Sequence, residues 1–190
     1  MPRISKGLKK KLPKKIYKIN NVCYESKTLY DFHVECDKAQ KIKLIESYEI
    51  PHNTGKKSRF STYKPIINGI KFDSLMEAKY YIYLLNLKYM KIIKDFKMQI
   101  SFNLQPAFTK NKKKYRPIDY VCDFIVYYPN KTEVVDIKGR ETVEFKLKHK
   151  MFEYKYPDYE LKLLQYYEPD NTWLELSEIR KLTRKKKITK

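Results

Sequence analysis

The stretch Tyr120–Lys138, YVCDFIVYYPNKTEVVDIK, most constrains how this chain can fold. Two apolar runs joined by Pro129-Asn130 read as a β-hairpin, yet charges stand where strand apolar residues belong: Asp123 in the first run, Asp136 and Lys138 ending the second. Two residues apart on a strand, Asp136 and Lys138 share a face. A two-residue loop at Pro129-Asn130 sets Asp123 opposite Asp136; a four-residue loop at Pro129–Thr132 sets it opposite Lys138 and diagonal to Asp136. Either register gathers all three on one face within about 5–8 Å, whereas a three-residue loop without a bulge would send Asp123 to the other face. Burying two carboxylates and a lysine is costly unless compensated. A divalent cation held by the carboxylates would compensate; a buried Asp–Lys ion pair or an exposed sheet face would account for the residues without one.

The rest of the chain says who the partner is. With 42 Lys+Arg against 22 Asp+Glu, the formal net charge is +20. That excess points to nucleic acid through phosphate neutralisation, and 18 tyrosines interleaved with lysines supply stacking surfaces for unpaired or distorted strands. An anionic membrane surface is the lesser alternative, because no basic amphipathic helix stands out. No apolar run reaches transmembrane length and Met1–Lys18 lacks a signal-peptide core, so a soluble, intracellular protein is expected. Cys23, Cys36 and Cys122 are far apart and lack ligand spacing, which reads as reduced thiols.

Five regions follow. Residues 1–21 form a basic, flexible arm, and residues 22–50 a small N-terminal lobe. The lobe's pattern returns 48 positions later, over 70–98: Val22, Tyr24, Glu25 and Ser26 match Ile70, Phe72, Asp73 and Ser74, and Lys43, Leu44 and Ile45 match Lys91, Ile92 and Ile93. A degenerate repeat would leave Glu77 unmatched, since its counterpart is Leu29. Residues 51–63 read as a linker, 64–170 as the main domain, and 171–190 as a short helix dissolving into a basic tail.

Within the main domain, Ser74 caps a helix over Ser74–Met90 whose Leu75, Ala78, Ile82, Leu85 and Tyr89 form the buried stripe. Glu77 lies at its edge, either an ordinary first-turn acid or one reaching toward the hairpin's acids. Ile92–Phe108 gives one or two strands, and Lys110–Arg116 a basic hairpin turn near the nucleic acid. Glu141–Tyr156 is a helix with Val143, Leu147, Met151 and Tyr154 at helical spacing, ended by Pro157. Tyr159–Tyr167 is a last core strand. The class is α/β, a mixed β-sheet flanked by helices.

Glu77 on a helix, then Asp123, then Asp136-Ile137-Lys138 at a strand end resembles the active-site pattern of the restriction-endonuclease-like PD-(D/E)XK nucleases, with Cys122 where that family often has proline. The segments GIKFDSLMEAKYY, FNLQPAF, YVCDF, VVDIKG and KHKMFEYKYP are similar to a group of small phage-encoded members, over about Asn68–Tyr166. The resemblance implies an αβββαβ core and a metal-dependent endodeoxyribonuclease of phage or mobile-element DNA recombination or processing, cytoplasmic in a bacterial host. It implies catalytic Glu77, Asp123, Asp136 and Lys138, with Mg²⁺ (or Mn²⁺) held by Asp123, Asp136, the Ile137 carbonyl and Glu77. Lys112, Lys113, Lys114, Lys146, Lys148 and Lys150 are the candidate DNA contacts and Gln99 a supporting residue. The DNA partner is double-stranded or branched; a Holliday-junction-resolvase-like enzyme is one form of the class. A homodimer is expected if both strands are cut. The reading from a different class is a non-catalytic DNA-binding protein with a relic nuclease fold.

Overall fold

The computed structural model describes residues 17–19, 22–24, 27–50, 64–138 and 140–188. In chain order, β1 (Tyr17–Ile19) and β2 (Val22–Tyr24) precede helix α1 (Lys27–Lys41) and strands β3 (Tyr48–Glu49), β4 (Ile66–Ile67) and β5 (Ile70–Lys71). Helix α2 (Leu75–Tyr89) leads into β6 (Asp95–Gln105), the short β7 (Phe108–Lys110) and β8 (Lys113–Tyr115), then β9 (Ile118–Tyr127) and β10 (Thr132–Ile137). Helix α3 (Val143–Lys155), β11 (Glu160–Tyr167), β12 (Thr172–Glu175) and α4 (Leu176–Ile188) complete the order.

The main sheet runs β12-β11-β10-β9-β6, with β10 and β11 parallel and the other neighbours antiparallel. Parallel neighbours need a crossover, which α3 supplies. Phe145 and Phe152 of α3 pack on Tyr120, Cys122 and Val134 at one face of the sheet. Helices α1 and α2 cover the other face, on Phe124, Val126 and Val135. The chain is therefore a mixed α/β protein whose multi-stranded sheet is flanked by helices. Among the described residues no helix is long and apolar enough to cross a membrane.

The central hairpin takes the two-residue loop. Tyr127 faces Thr132 and Phe124 faces Val135, and the Tyr128 N–H donates to the Lys131 carbonyl at 2.9 Å. Continued one step, this register sets Asp123 opposite Asp136.

One departure from regular alternation matters for the site. In β6, Phe96 and Met98 join the α1/α2 core while Ile100, Phe102 and Leu104 join the α3 core. In β9, Phe124 and Val126 join the first and Tyr120 and Cys122 the second. Pairing stays in register on both sides, Met98 with Phe124 and Ile100 with Cys122. Both strands thus exchange faces at one level, that of Gln99 and Asp123. The local cause is Gln99, whose φ of 52° is left-handed in mid-strand; such a conformation in a non-glycine residue is strained.

Helix α2 starts where expected. The Ser74 hydroxyl accepts from the Glu77 N–H at 3.1 Å and donates to Glu77 Oε1 at 2.7 Å, a Ser-x-x-Glu pairing close to a capping box. Ser74→Ala is expected to cost about 1 kcal/mol, read as a lower urea midpoint at unchanged slope. Local backbone features recur at the 48-residue offset. Helix α1 and helix α2 begin and end at matching positions. Past them, Lys43 and Lys91 share a φ of 59°, and the N–H groups of Leu44 and Ile92 donate to the carbonyls of Ala39 and Leu87 at 2.8 and 2.9 Å.

Several expectations are corrected. The end of the expected flexible arm is a strand, since Tyr17–Ile19 pairs with Val22–Tyr24; the rest of the arm, the 51–63 linker and Gly139 lie outside the described residues. On α2 the buried surface is broader than one stripe, taking in Tyr80, Tyr81, Leu84 and Leu87, while Tyr89 is exposed. On α3, Val143, Leu147 and Tyr154 face solvent; the helix docks through Phe145 and Phe152. Past Tyr167 comes an edge strand, Thr172–Glu175, before α4 runs to Ile188.

Candidate functional site

The sheet delivers three of the expected residues to one place. Asp136, 1% exposed, lies near the end of β10, with its Oδ2 accepting from the Tyr120 hydroxyl at 2.8 Å. Its Oδ1 is buried and has no hydrogen-bond partner among the described residues. The Lys138 ammonium stands 2.8 Å from that oxygen as an ion pair but does not meet hydrogen-bond geometry. Asp123 Oδ2 accepts from the Ile137 N–H at 2.7 Å, so the two carboxylates are linked through the Asp136–Ile137 peptide. Lys138 also lies 5.2 Å from the Phe145 ring centroid, which ties the site to the first turn of α3.

Electrostatics bind the fourth residue to these three. Burial pushes the Asp123 carboxyl up to about 7, reinforced by Asp136 and Glu77 and opposed by the Ile137 N–H and Lys138. Burial likewise raises the Glu77 carboxyl, with the Ser74 hydroxyl and Lys138 acting against it. For Lys138, burial works toward deprotonation, but Asp136, Asp123 and Glu77 outweigh it and hold the ammonium above its usual range. Glu77 is therefore within charge range of Asp123 and Lys138. Its carboxylate nevertheless hydrogen-bonds Ser74, and among the described residues no three His, Cys, Asp or Glu side chains form a ready-made metal-binding group. The donor set is the pair of aspartates, with Glu77 within charge range of it.

Does a hard divalent cation fit here? Carboxylate and carbonyl oxygens are its preferred ligands. The buried Oδ1 of Asp136 meets no hydrogen-bond geometry and has the Lys138 ammonium 2.8 Å away as its charged neighbour, so its lone pairs are not fully used by the protein. Three carboxylates, two with raised affinity for protons, face one lysine. The residues fit such an ion.

Tyr120 was not expected as a site residue. A buried tyrosine needs a partner for its hydroxyl, and here that partner is Asp136. Burial and then the negative Asp136 push the Tyr120 phenol far upward, so it remains a neutral donor. Cys122 is a buried free thiol raised by burial to about 12. It is packing rather than chemistry. Gln99 is passed over in the β6–β9 ladder at the position opposite Asp123, and its side chain is exposed.

The expected DNA-contacting lysines divide into two groups. Lys112, Lys113 and Lys114 sit at the exposed β7–β8 turn. Lys146 and Lys150 are exposed on α3, whereas Lys148 is half-buried and paired with Glu144 at 3.1 Å.

Fold and site together define a mixed α/β protein with a buried aspartate–lysine centre on its central hairpin. A family model described as "Protein of unknown function (DUF1064)" matches residues 57–168, more than half of the 190-residue chain, and the chain belongs to that family. No curated protein and no solved structure matches the chain.

Proposed function

We propose that the protein is a divalent-cation-dependent nuclease acting on DNA, with a restriction-endonuclease-like core of the PD-(D/E)XK type. The observation carrying this reading is the convergence of the buried Asp136 carboxylate with Asp123, linked through the Ile137 N–H, and with Lys138, 2.8 Å from Asp136 Oδ1. The order α2, β6, β9, β10, α3, β11 agrees with the expected αβββαβ core once the β7–β8 pair is taken as an insertion.

Asp123, Asp136 and the Ile137 carbonyl would hold Mg²⁺ or Mn²⁺. The ion supplies Lewis acidity toward the phosphodiester and offsets the aspartates' charge. Tyr120 fixes the Asp136 carboxylate by holding Oδ2, so that Oδ1, beside Lys138, would be the oxygen offered to the cation. The Ile137 N–H fixes Asp123 in the same way. Lys138, held protonated by the acids around it, would stabilise the negative charge that a phosphate gains in the transition state. Glu77, its carboxyl biased toward protonation, is positioned to take up a proton or to orient water.

The test is plasmid nicking with Mg²⁺, Mn²⁺ or EDTA, beside branched and single-stranded substrates. Cleavage with either metal and none in EDTA supports the reading; binding without cleavage on every substrate overturns it. That second outcome would fit a non-catalytic DNA binder, for which the engagement of Glu77 by Ser74 is the favouring observation.

A further inference from the structure

The β7–β8 pair is a sheet of its own, cut off from the main sheet by Pro106 and Pro117 at its two roots. Proline cannot donate to a ladder, so the long β6–β9 pairing does not continue into it as a regular sheet. Every residue of its two strands is exposed, and it buries no core. A free two-stranded hairpin is marginally stable in water.

Its charge makes the arrangement stranger. Between Pro106 and Pro117 lie Lys110, Lys112, Lys113, Lys114 and Arg116, with no acidic residue. Among the described residues none of the five forms an ion pair. Lys110 stands directly opposite Lys113 in the ladder, a like-charge pair that destabilises a hairpin. Asn111 and Lys112 close the turn at φ 51° and 61°, both positive as a tight two-residue turn requires. On the same face as Lys110 and Lys113, the Phe108 and Tyr115 rings stack at 4.5 Å, 5° from parallel. The result is a stacked aromatic base under a tip whose lysines form no ion pair among the described residues.

We propose that this ribbon is an arm that docks into a groove of duplex DNA flanking the carboxylate centre, with Lys110 and Lys113 holding backbone phosphates. Phosphates supply the missing counter-charge. The dimensions suit the major groove: the strand from Phe108 to the turn reaches ~13 Å at ~3.3 Å per residue, and the groove, ~12 Å wide and ~8.5 Å deep, admits a two-stranded ribbon. Asp123 lies eight residues along the chain from Tyr115. The arm's base is therefore at most ~26 Å from the carboxylates at ~3.3 Å per residue, or ~8 base pairs of duplex at ~3.4 Å each. The proposal rests on DNA being the substrate and not on its cleavage.

The full chain is titrated in EDTA against a 30-bp duplex, a single strand of the same length, and vesicles of phosphatidylserine and phosphatidylcholine. The double variant Lys110→Gln/Lys113→Gln is compared with Lys91→Gln/Lys181→Gln, which removes equal charge from exposed positions elsewhere. Thermal melts check that both fold; the arm variant should melt no lower than wild type, since a repulsive pair is gone. The expected result is a duplex affinity weakened about tenfold or more at ~0.1 M salt, with the log K against log salt slope shallower by about two. The control should change less than about threefold, and the single strand should be less affected than the duplex. Equal losses in the two variants, an unchanged slope, or equal losses on duplex and single strand would overturn groove docking. So would loss of vesicle binding with duplex binding intact. Arm-dependent duplex affinity in a protein that cleaves nothing would remove the nuclease reading and leave the arm standing. Cleavage with arm-independent affinity would do the reverse.

Discussion

Asp136→Asn is expected to reduce Mg²⁺-dependent DNA cleavage by about three orders of magnitude or more, equivalent to about 4 kcal/mol of transition-state stabilisation, with DNA binding in EDTA nearly unchanged. Asparagine is the sharper change because it preserves shape: its carbonyl oxygen can still accept from the Tyr120 hydroxyl, now 2.8 Å from Oδ2. What disappears is the charge on Oδ1, the buried oxygen without a hydrogen bond. Asp136→Ala should inactivate equally but would also strand the Tyr120 hydroxyl in the α3 core, costing stability as well. Lys138 keeps Asp123 and Glu77 as counter-charges in either variant. Cleavage within tenfold of wild type in the asparagine variant, with the fold intact by melting, would refute the assignment of the site.

The second large effect is on stability. The folded-state Asp123 carboxyl is raised to about 7 by burial and its acidic neighbours, against about 3.9 for a free aspartate. A raised folded value means that this group's stabilising contribution is complete below pH 4 and is lost as pH climbs through about 7. In EDTA the protein should therefore melt lower at pH 8 than at pH 5.5. A cation replaces the proton as the compensating charge, so Mg²⁺ should raise the melting temperature chiefly at pH 8. With ~10 mM Mg²⁺ and a dissociation constant of ~1 mM, binding adds about 1.4 kcal/mol, or about 3–5 °C for a chain of this size. At pH 5.5 the shift should shrink, because protons compete. Asp123→Asn should raise the melting point in EDTA and erase the response to Mg²⁺. A shift of equal size at both pH values, or one that survives Asp123→Asn, would exclude the metal assignment.

Much of the central hairpin was legible because strand period and loop length jointly determine register. Once Pro129-Asn130 is a two-residue loop, Asp123 must stand opposite Asp136. The Ser74 cap was readable for a similarly local reason. Helix α3 was misread because Val143, Leu147 and Tyr154 share helical spacing, and periodicity alone does not tell which of two apolar sets meets the sheet. Phe145 and Phe152 win since two large rings fill the space over Tyr120 and Cys122. The edge strand Thr172–Glu175 is short, and its pairing with β11 is a tertiary choice. Nothing in a mid-strand glutamine announces a left-handed backbone, so the Gln99 turnover was invisible. Tyr120 stood in view beside the acids, but only the packed structure says where its hydroxyl ends.

That turnover at Gln99 gives the protein a seam. A regular sheet keeps its two sides chemically separate, each strand residue belonging to one hydrophobic core. Here the α1/α2 core and the α3 core change strand positions at a single level, and Asp123 occupies that level. It answers to Glu77 on one side and, through Ile137 and Asp136, to Tyr120 on the other. The alignment of the carboxylates is thereby tied to backbone torsion in a neighbouring strand as well as to side-chain packing. Relaxing one residue of β6 would shift both sides of the centre at once.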